Sequence, residues 1–203
     1  MITIIDYGMG NVGSILNMFK KLKIVAEISA NEQNIKNAKK LVLPGVGAFD
    51  SGMNKLEKNK LIDLLNEKVI VNSTPILGIC LGAQLMCNKS EEGEKNGLGW
   101  LDIDVLKFNF NKIKGEKVPH MGWNTLSIQK TNPIMKGVNS EFRFYFTHSY
   151  YFHANNQTDV LSNTDYGMSF NSSFQKNNIF GVQFHPEKSH RFGLKIFENF
   201  SKI

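Results

Sequence analysis

The stretch Pro75-Ile76-Leu77-Gly78-Ile79-Cys80-Leu81-Gly82-Ala83-Gln84 joins an apolar, strand-like run to a helix-compatible segment, with Cys80 at the junction. Glycines on both sides of the cysteine allow a strand, a sharp turn and a helix to approach each other closely. The positive end of the following helix favours a thiolate, which makes the sulfur a nucleophile at neutral pH. The pattern alone leaves two interpretations open, a nucleophile elbow or a buried and inert cysteine.

A second stretch supplies the groups that a nucleophilic cysteine needs. Ile179–Phe184 is typical of a buried strand, and His185-Pro186-Glu187 follows at its end. Residues two apart in an extended segment point the same way, so Glu187 can accept a hydrogen bond from the imidazole while Pro186 restricts the link. With Cys80 this gives a nucleophile, a base and a group that orients the base. The alternative is a surface turn without a catalytic role.

Motifs in a fixed order along most of the chain indicate a family resemblance. Gly78–Gln84 and Phe184–Ser189 resemble the signature segments of the class I, or triad, glutamine amidotransferases. Within them the chain is most similar to the glutaminase subunits of imidazole glycerol phosphate synthase, and three stretches carry this narrower likeness: Asp6-Tyr7-Gly8-Met9-Gly10-Asn11, Leu43-Pro44-Gly45-Val46-Gly47-Ala48-Phe49 and Pro119-His120-Met121-Gly122-Trp123-Asn124. The likeness extends from Ile5 to Ser189.

The resemblance implies an enzyme that releases ammonia from L-glutamine. Cys80 is then the nucleophile, His185 the general acid and base, and Glu187 the group that holds the histidine. The backbone N–H groups of Val46 and Leu81 are expected to form the oxyanion hole, because glycines flank the first and the second directly follows the nucleophile. No cofactor or metal is implied, and the sequence has no Cys/His spacing suited to zinc.

The resemblance also predicts where the substrate and a partner protein bind. Four positions are predicted to bind glutamine: Gln84, Glu92, Ser149 and Tyr150. Four others are predicted to lie against the partner: Asn11, Met121, Trp123 and Lys188. The partner implied is a HisF-type (β/α)8-barrel cyclase, which receives the ammonia within a heterodimer. His148 is not expected to take part in the chemistry, and the sequence shows no convincing partner for His153 or His190.

Bulk composition favours one globular domain and argues against a membrane span or a nucleic-acid partner. The chain has 203 residues, of which 41% are hydrophobic, enough for one well-packed domain over residues 1–203. No apolar run is long enough for a membrane span, and Met1–Asp6 enters a strand instead of a signal peptide, so we expect a cytoplasmic protein. The formal charge of +6 comes from scattered lysines without an aromatic-interleaved basic stripe. That distribution argues against nucleic acid as a partner.

Hydrophobic periodicity predicts an α/β fold. Strands are expected at Ile2–Ile5, Lys40–Leu43 and in the runs before Cys80 and His185, and helices at about Val12–Leu22, within Leu56–Val71 and at about Arg191–Phe200. An antiparallel β excursion is expected from Gly97 to about Phe152, with strands at Leu101–Val105, Thr125–Ile128 and Phe142–Phe146. The chain therefore predicts a mostly parallel central sheet with helices on both faces, and an active site beyond the carboxyl ends of its central strands.

Three alternatives bear on the function. The first keeps the glutaminase chemistry but delivers the ammonia to a cyclase-like partner that aminates a bacterial surface sugar. The second is a non-enzymatic binding subunit with the same fold, which the intact triad residues argue against. The third is a dinucleotide site, because Gly8, Gly10 and Gly13 match its glycine spacing. No acidic residue at the end of a clean second strand follows, so the third is set aside.

Overall fold

A computed structural model describes residues 1–109 and 117–203. Its strands are β1 (Ile2–Ile5), β2 (Ala26–Ser29), β3 (Lys40–Leu43), β4 (Ile76–Ile79), β5 (Lys89–Ser90), β6 (Ile103–Lys107), β7 (His120–Thr125), β8 (Ser127–Ile128), β9 (Arg143–His148), β10 (Tyr150–Ala154), β11 (Val160–Asp165), β12 (Ser169–Lys176) and β13 (Ile179–Val182). Its α-helices are α1 (Val12–Lys21), α2 (Glu32–Asn37), α3 (Phe49–Lys58), α4 (Leu61–Asn66), α5 (Leu81–Leu85) and α6 (His190–Ser201). A π-helical turn covers Glu67–Val71, and 3-10 turns cover Pro133–Met135, Gln157–Asp159 and Pro186–Lys188.

Parallel strands in the order β2-β1-β3-β4-β13 form the part of the main sheet that carries the candidate site. Gly78 of β4 pairs with Leu43 of β3 on one side and with Gly181 of β13 on the other. Because parallel strands run in the same direction, the carboxyl ends of these three strands meet at one edge of the sheet. Cys80 follows β4 and His185 follows β13, so both are carried to this edge. The predicted fold class is confirmed.

The remaining strands are mostly antiparallel. They continue the main sheet as β12-β10-β6-β5, with β11 and β8 beyond β12, while β7 and β9 form a separate two-stranded sheet. The predicted excursion is present, but it continues past Phe152 through β11 and β12. The segment from Thr125 to Ile128, predicted as one strand, is divided between the end of β7 and β8. His120 and Trp123, from the motif of residues 119–124, lie outside the strands expected from the sequence but belong to β7.

Helices cover both faces of the parallel strands. Successive strand residues point to opposite faces, and Ile4 and Ile5 accordingly belong to separate buried clusters. One cluster packs α1 and α6 against the sheet, with the rings of Phe19 and Phe197 4.9 Å apart. The other packs α3, α4 and α5 against the opposite face. No helix within the described residues is long and apolar enough to cross a membrane.

The sequence patterns do not predict two short elements, β2 and α2. Helix α2 begins after Asn31, whose side chain accepts hydrogen bonds from the N–H groups of Gln33 and Asn34 at 2.9 and 3.2 Å. An asparagine in this position is a recognised start signal for a helix, so local reasoning could have found it. Strand β2 is only half-buried at the edge of the sheet, where the hydrophobic pattern is weak.

Helix α3 begins at Phe49, whereas the sequence predicts a helix only from Leu56. Ala48, the residue at its N-cap, has no side-chain group that can accept a hydrogen bond. The N–H of Phe49 donates instead to the carboxylate of Glu92, at 2.9 Å. The start of α3 is therefore stabilised by a residue far along the chain, and local patterns cannot reveal such a cap.

Candidate active site

Cys80 lies at a strained turn between β4 and α5. Its backbone has a φ of 52° and a ψ of −114°, a combination that costs free energy for a residue with a side chain. The N–H of Cys80 donates to the carbonyl of Val182 at 2.8 Å, and its own carbonyl accepts from the N–H groups of Ala83 and Gln84, both at 3.1 Å. The cysteine is buried and free of any disulfide. This is the strand-turn-helix geometry that a nucleophile elbow requires.

Two glycines make this turn sterically possible. A Cβ atom on Gly82 would lie 1.9 Å from the carbonyl oxygen of Leu43, and one on Gly78 would lie 2.6 Å from the Cα of Ala83. Any side chain at either position would push α5 away from β3 or β4, because backbone atoms cannot give way as a flexible side chain can. The glycines of the motif are thus explained by the close approach of one helix to two strands.

His185 and Glu187 form a buried pair directly after β13. The Nδ1 atom of His185 lies 2.7 Å from the Oε1 atom of Glu187, and the side chains are 1% and 2% exposed. The backbone fixes the histidine: its N–H donates to the carbonyl of Tyr145 at 2.8 Å, and its carbonyl accepts from the Oγ of Ser189 at 2.6 Å. Because the carboxylate accepts the proton on Nδ1, the Nε2 atom is left to exchange a proton with another group.

Neighbouring charges control the protonation of the histidine. Burial alone lowers the pKa of His185, but the charge of Cys80 and the contact with Glu187 act in the opposite direction and raise it to about 10. Burial, and then the charge of Cys80, also raise the pKa of Tyr7 above its usual value. A histidine that carries a proton beside a thiolate is an ion pair in which the sulfur can attack and the imidazolium can donate.

The loop of residues 44–47 follows β3 and packs against the start of α5. The hydroxyl of Tyr7 donates a 2.7 Å hydrogen bond to the carbonyl of Pro44. A Cβ atom on Gly45 would lie only 2.6 Å from the backbone nitrogen of Gly82. The loop therefore touches the first turn of the helix that begins at the nucleophile elbow.

The two predicted oxyanion donors lie on these two touching segments. Leu81 is the first residue of α5, where a helix leaves N–H groups without an intrahelical acceptor. Val46 lies in the loop and is 47% exposed. Gly47 has a φ of +118°, which glycine adopts far more readily than other residues. The oxyanion role of Val46 and Leu81 stays a prediction, made on positions that the fold brings near each other.

A buried glutamine that the sequence reasoning does not single out contacts the nucleophile. Gln183, two residues before His185, is fully buried, and its Nε2 atom lies 3.6 Å from the Sγ of Cys80. Its Oε1 accepts from the Nε2 of Gln84 at 3.1 Å, and the same Nε2 lies 3.3 Å from the carbonyl oxygen of Tyr150. In the sequence, Gln183 is one polar residue at the end of an apolar run. Only the fold places it against the sulfur.

The other predicted glutamine-binding residues are grouped by the fold. The carboxylate of Glu92 accepts a hydrogen bond from the first N–H of α3, at Phe49. Burial raises the pKa of Glu92, although this hydrogen bond acts to lower it. Burial and the charge of Glu92 raise the pKa of Tyr150, so these two side chains interact electrostatically. Ser149 lies between β9 and β10, directly before Tyr150, whose carbonyl meets Gln84. The four residues are therefore linked to one another, and their contact with substrate stays a prediction.

His148 and His120 form a second buried pair. The Nε2 of His148 lies 3.0 Å from the Nδ1 of His120, and the Nδ1 of His148 lies 2.7 Å from the carbonyl oxygen of Tyr150. A carbonyl only accepts, so His148 donates from Nδ1 and accepts at Nε2 from His120. Burial lowers the pKa of His148 to about 3 and that of His120 to about 4. Both rings are therefore neutral, with fixed tautomers.

The predicted partner residues lie on neighbouring elements of the fold. Met121 and Trp123, two apart on β7, are 62% and 45% exposed. The ring of Tyr145 lies 5.9 Å from that of Trp123 and 5.8 Å from the Nζ of Lys188. Asn11 caps α1, which contacts the turn that contains Lys188. An exposed tryptophan and methionine beside a lysine form a surface suited to a protein partner.

His190 stacks on the same tryptophan, a contact that the sequence does not reveal. Its ring centroid lies 5.5 Å from that of Trp123, and the rings are within 8° of parallel. The prediction that His190 lacks a partner is therefore wrong, because β7 and α6 are distant in sequence but adjacent at this surface. Among residues 1–109 and 117–203, no group of three or more His, Cys, Asp and Glu residues is arranged to hold a metal ion.

Comparison with known families agrees with this arrangement. The chain matches the family described as glutamine amidotransferase class-I over residues 3–203. The chain belongs to the class-I glutamine amidotransferase family. The resemblance predicted from the two signature segments is confirmed.

Several class-I relatives match this chain from end to end. A protein from Pseudomonas aeruginosa named imidazole glycerol phosphate synthase subunit HisH 2 is 47% identical over 203 residues, which cover 100% of both chains. A protein of the same name from Methanococcus maripaludis is 51% identical over 203 residues, covering 100% of this chain and 99% of the other. The narrower resemblance to these glutaminase subunits, predicted from three further motifs, is confirmed.

Solved structures of class-I glutamine amidotransferases share the fold. One crystal structure of a glutamine amidotransferase gives a TM-score of 0.77 at 18% identity and covers 100% of this chain and 99% of that chain. The structure of PurLQS from Thermotoga maritima gives a TM-score of 0.72 at 15% identity, covering 99% of this chain and 97% of that chain. At these identities the similarity bears on the fold alone.

Proposed function

We propose that this chain is the glutaminase subunit of an imidazole glycerol phosphate synthase, acting as one domain over residues 1–203 in the cytoplasm. It hydrolyses L-glutamine to glutamate and passes the ammonia to a HisF-type (β/α)8 cyclase for histidine biosynthesis. The names of the full-length relatives support this pathway. The observation that carries the chemistry is the placement of Cys80 and of the His185–Glu187 pair at the ends of adjacent parallel strands.

The first half of the reaction forms a thioester. The thiolate of Cys80 attacks the carbonyl carbon of the side-chain amide of glutamine, and the carbonyl oxygen becomes an oxyanion. Backbone N–H groups of Val46 and Leu81 stabilise that charge, a contribution that exists only once the charge develops. His185 donates the proton on Nε2 to the amide nitrogen, the C–N bond breaks, and ammonia leaves.

The second half releases glutamate. His185, now neutral, takes a proton from a water molecule, and the resulting hydroxide attacks the thioester carbon. The tetrahedral intermediate collapses, the C–S bond breaks, and the thiolate of Cys80 and the imidazolium of His185 are restored. Glu187 accepts the Nδ1 proton of the histidine throughout, which fixes the tautomer and stabilises the positive charge.

Substrate recognition is assigned to the polar groups around the cysteine. The carboxylate of Glu92 suits the α-ammonium group of glutamine, because an amino acid cation requires an anion or several acceptors. Ser149 and Tyr150 are proposed to hold the carboxylate end of the substrate. Gln84, one helical turn after the nucleophile, is proposed to hold the side-chain amide of the substrate. Binding at both ends of the substrate fixes the amide carbon near Cys80.

The surface around Trp123 is proposed as the docking site of the cyclase. Met121 and Trp123 supply apolar area, while Lys188 and Asn11 supply polar contacts at its margin. Docking there would carry the ammonia from one protein to the next without release into water. The cyclase then supplies the chemistry on the nucleotide. We propose no site for the nucleotide on this chain.

The test is to reconstitute the chain with a HisF-type cyclase and compare ammonia sources. The Cys80→Ala complex is expected to form no product from glutamine while keeping wild-type synthesis with added ammonium salt, because nucleophile and acceptor chemistry lie on different chains. Cys87→Ala is the matched control: Cys87 is fully buried beyond the opposite end of α5, and this variant is expected to keep both activities. An ammonium-dependent rate that falls with the glutamine-dependent rate would contradict the division of labour.

A histidine auxotroph identifies the acceptor. The gene that encodes this chain, expressed with that of a HisF-type cyclase in a strain lacking its own glutaminase subunit, is expected to restore growth without histidine at low ammonium. Lack of complementation by a pair that hydrolyses glutamine in vitro would point instead to surface-sugar amination. The Cys80→Ala variant is the negative control in the same strain.

A further inference from the structure

We propose that Gln183 is a positioning residue whose side-chain N–H stabilises the thiolate of Cys80 and so sets the reactivity of the nucleophile. Its Nε2 atom lies 3.6 Å from the Sγ of Cys80, within the range of a hydrogen bond to sulfur. Both residues are buried, with Gln183 at 0% exposure. This role rests on the glutaminase function proposed above, in which the thiolate is both the attacking and the leaving group.

A chain of hydrogen bonds fixes which end of the Gln183 amide faces the sulfur. The carbonyl oxygen of Tyr150 can only accept, so Gln84 must present its Nε2 to it, at 3.3 Å. The same Nε2 has a second hydrogen, which is directed at Gln183 over 3.1 Å, so Gln183 must present its Oε1 to Gln84. The NH₂ group of Gln183 is then the end that faces Cys80. A reversed amide would place two acceptors, an oxygen and a thiolate, against each other.

The charged neighbours of the sulfur cannot replace this donor. His185 is the cation beside Cys80, and Glu187 acts on the sulfur only through that histidine. Tyr7 also senses the charge of Cys80, but its hydroxyl donates to a backbone carbonyl. During release of glutamate, His185 first removes a proton from water and then faces a departing thiolate.

A neutral amide donor keeps its hydrogen at every stage of this sequence. No water competes with it at a fully buried position, and a hydrogen bond to an anion is stronger than one between neutral groups. Gln183 therefore favours the charged form of Cys80 independently of the protonation of His185. Its effect is expected on the attack of the sulfur and on its departure from the thioester.

The experiment measures the thiolate directly on the full-length chain. The rate of alkylation of Cys80 by iodoacetamide is followed against pH, with the Cys80→Ala chain subtracted to correct for Cys87. In Gln183→Met, which keeps the length of the side chain but has no donor, the midpoint of the profile is expected to move up by about one pH unit. Below the midpoint this equals about tenfold slower alkylation. Gln183→Glu keeps the shape of the side chain and adds a negative charge, and it is expected to move the midpoint further.

The matched control is Gln175→Met, a glutamine on β12 that bonds to Asn132, and its alkylation profile is expected to overlay that of the wild type. Thermal unfolding establishes whether each variant is folded. If Gln183→Met does not fold, the alkylation profile of Gln183→Glu is used for the test. A folded Gln183 variant with the wild-type midpoint overturns the proposal, even if its glutaminase activity is lost. If the Gln183 variants shift the midpoint but the wild-type protein, with its cyclase, hydrolyses no glutamine, the contact is upheld and only the proposed function is refuted.

Discussion

The hydroxyl of Tyr7 donates a 2.7 Å hydrogen bond to the carbonyl oxygen of Pro44 inside the hydrophobic core. This bond joins the end of β1 to the loop that carries a predicted oxyanion donor. Because the carbonyl is fixed, the peptide between Pro44 and Gly45 cannot rotate without breaking the bond. Any rotation that presents or withdraws the Val46 N–H is therefore confined to the Gly45–Val46 peptide.

Tyr7→Phe is expected to lower the free energy of unfolding by about 1 kcal/mol, because it leaves a buried carbonyl without its donor. Urea unfolding of the isolated chain measures this directly. Tyr166→Phe is the matched control, since the Tyr166 hydroxyl bonds to the exposed carbonyl of Lys117 and water can replace it. Equal losses in the two variants would show that burial of the Tyr7 bond adds nothing.

The sequence predicts the parallel half of this fold and much less of the rest. Apolar runs such as Ile76–Ile79 are continuous because their strands are buried on both faces, and that signal is local. The cap that Glu92 provides to Phe49, and the pairing of β7 with β9, depend on segments that meet only in the folded chain. Such contacts leave no periodicity in either segment alone.

Glu187→Gln is expected to lower kcat more than it raises KM for glutamine. The amide keeps the shape of the carboxylate but removes the charge that stabilises the imidazolium of His185 during proton transfer. Steady-state kinetics of glutamate release from the reconstituted complex separate the two parameters. Glu91→Gln, in the segment between β5 and β6, is the control for loss of one carboxylate. An effect confined to KM would assign Glu187 to substrate binding.

Acid is expected to destabilise the fold through the buried histidine pair. Burial holds the pKa of His148 at about 3, below its value of about 6.5 in an unfolded chain. A group with a lowered folded pKa contributes stability that is fully present above about pH 6.5 and is lost as the pH falls toward the folded pKa. The free energy of unfolding should therefore fall from about pH 6.5 toward pH 3, by up to about 1.4 kcal/mol per pH unit for each such histidine.

The same measurement in His148→Gln should show a shallower dependence on pH, because one titrating group is gone. His153→Gln, at an exposed position, is the control for the replacement of a histidine by glutamine. Urea titrations at several pH values give the slopes. If His148→Gln and the wild type lose stability in parallel, other groups cause the acid sensitivity.

Cys80, His185 and Glu187 could be singled out from the sequence because they lie within two short motifs, and their catalytic roles stay a prediction. Cys80 is framed by glycines, and His185 and Glu187 are separated by one proline. Gln183 could not be predicted, although it lies in the same stretch as His185. Its contact with sulfur depends on the register between β4 and β13, in which Val182 pairs with Ile79.

The turn between β1 and α1 is expected to control the position of the loop of residues 44–47. Gly10 has a φ of +88°, and a Cβ atom there would lie 2.9 Å from the Cβ of Pro44 and 3.0 Å from the nitrogen of Gly45. Gly10→Ala must therefore strain the turn and displace the loop that carries Val46. Loss of one oxyanion donor typically costs about a hundred- to a thousandfold in rate.

For Gly10→Ala we therefore expect glutamine-dependent synthesis by the complex to fall at least about tenfold, with the ammonium-dependent rate unchanged. Gly13→Ala is the matched control, because a Cβ on Gly13 has no heavy atom within 4 Å and the residue lies in α1. That variant should keep both activities and gain up to about 1 kcal/mol of stability, since alanine favours a helix over glycine. If Gly10→Ala hydrolyses glutamine as fast as Gly13→Ala, Gly10 does not set the loop, and other contacts, such as the bond from Tyr7 to Pro44, must hold it.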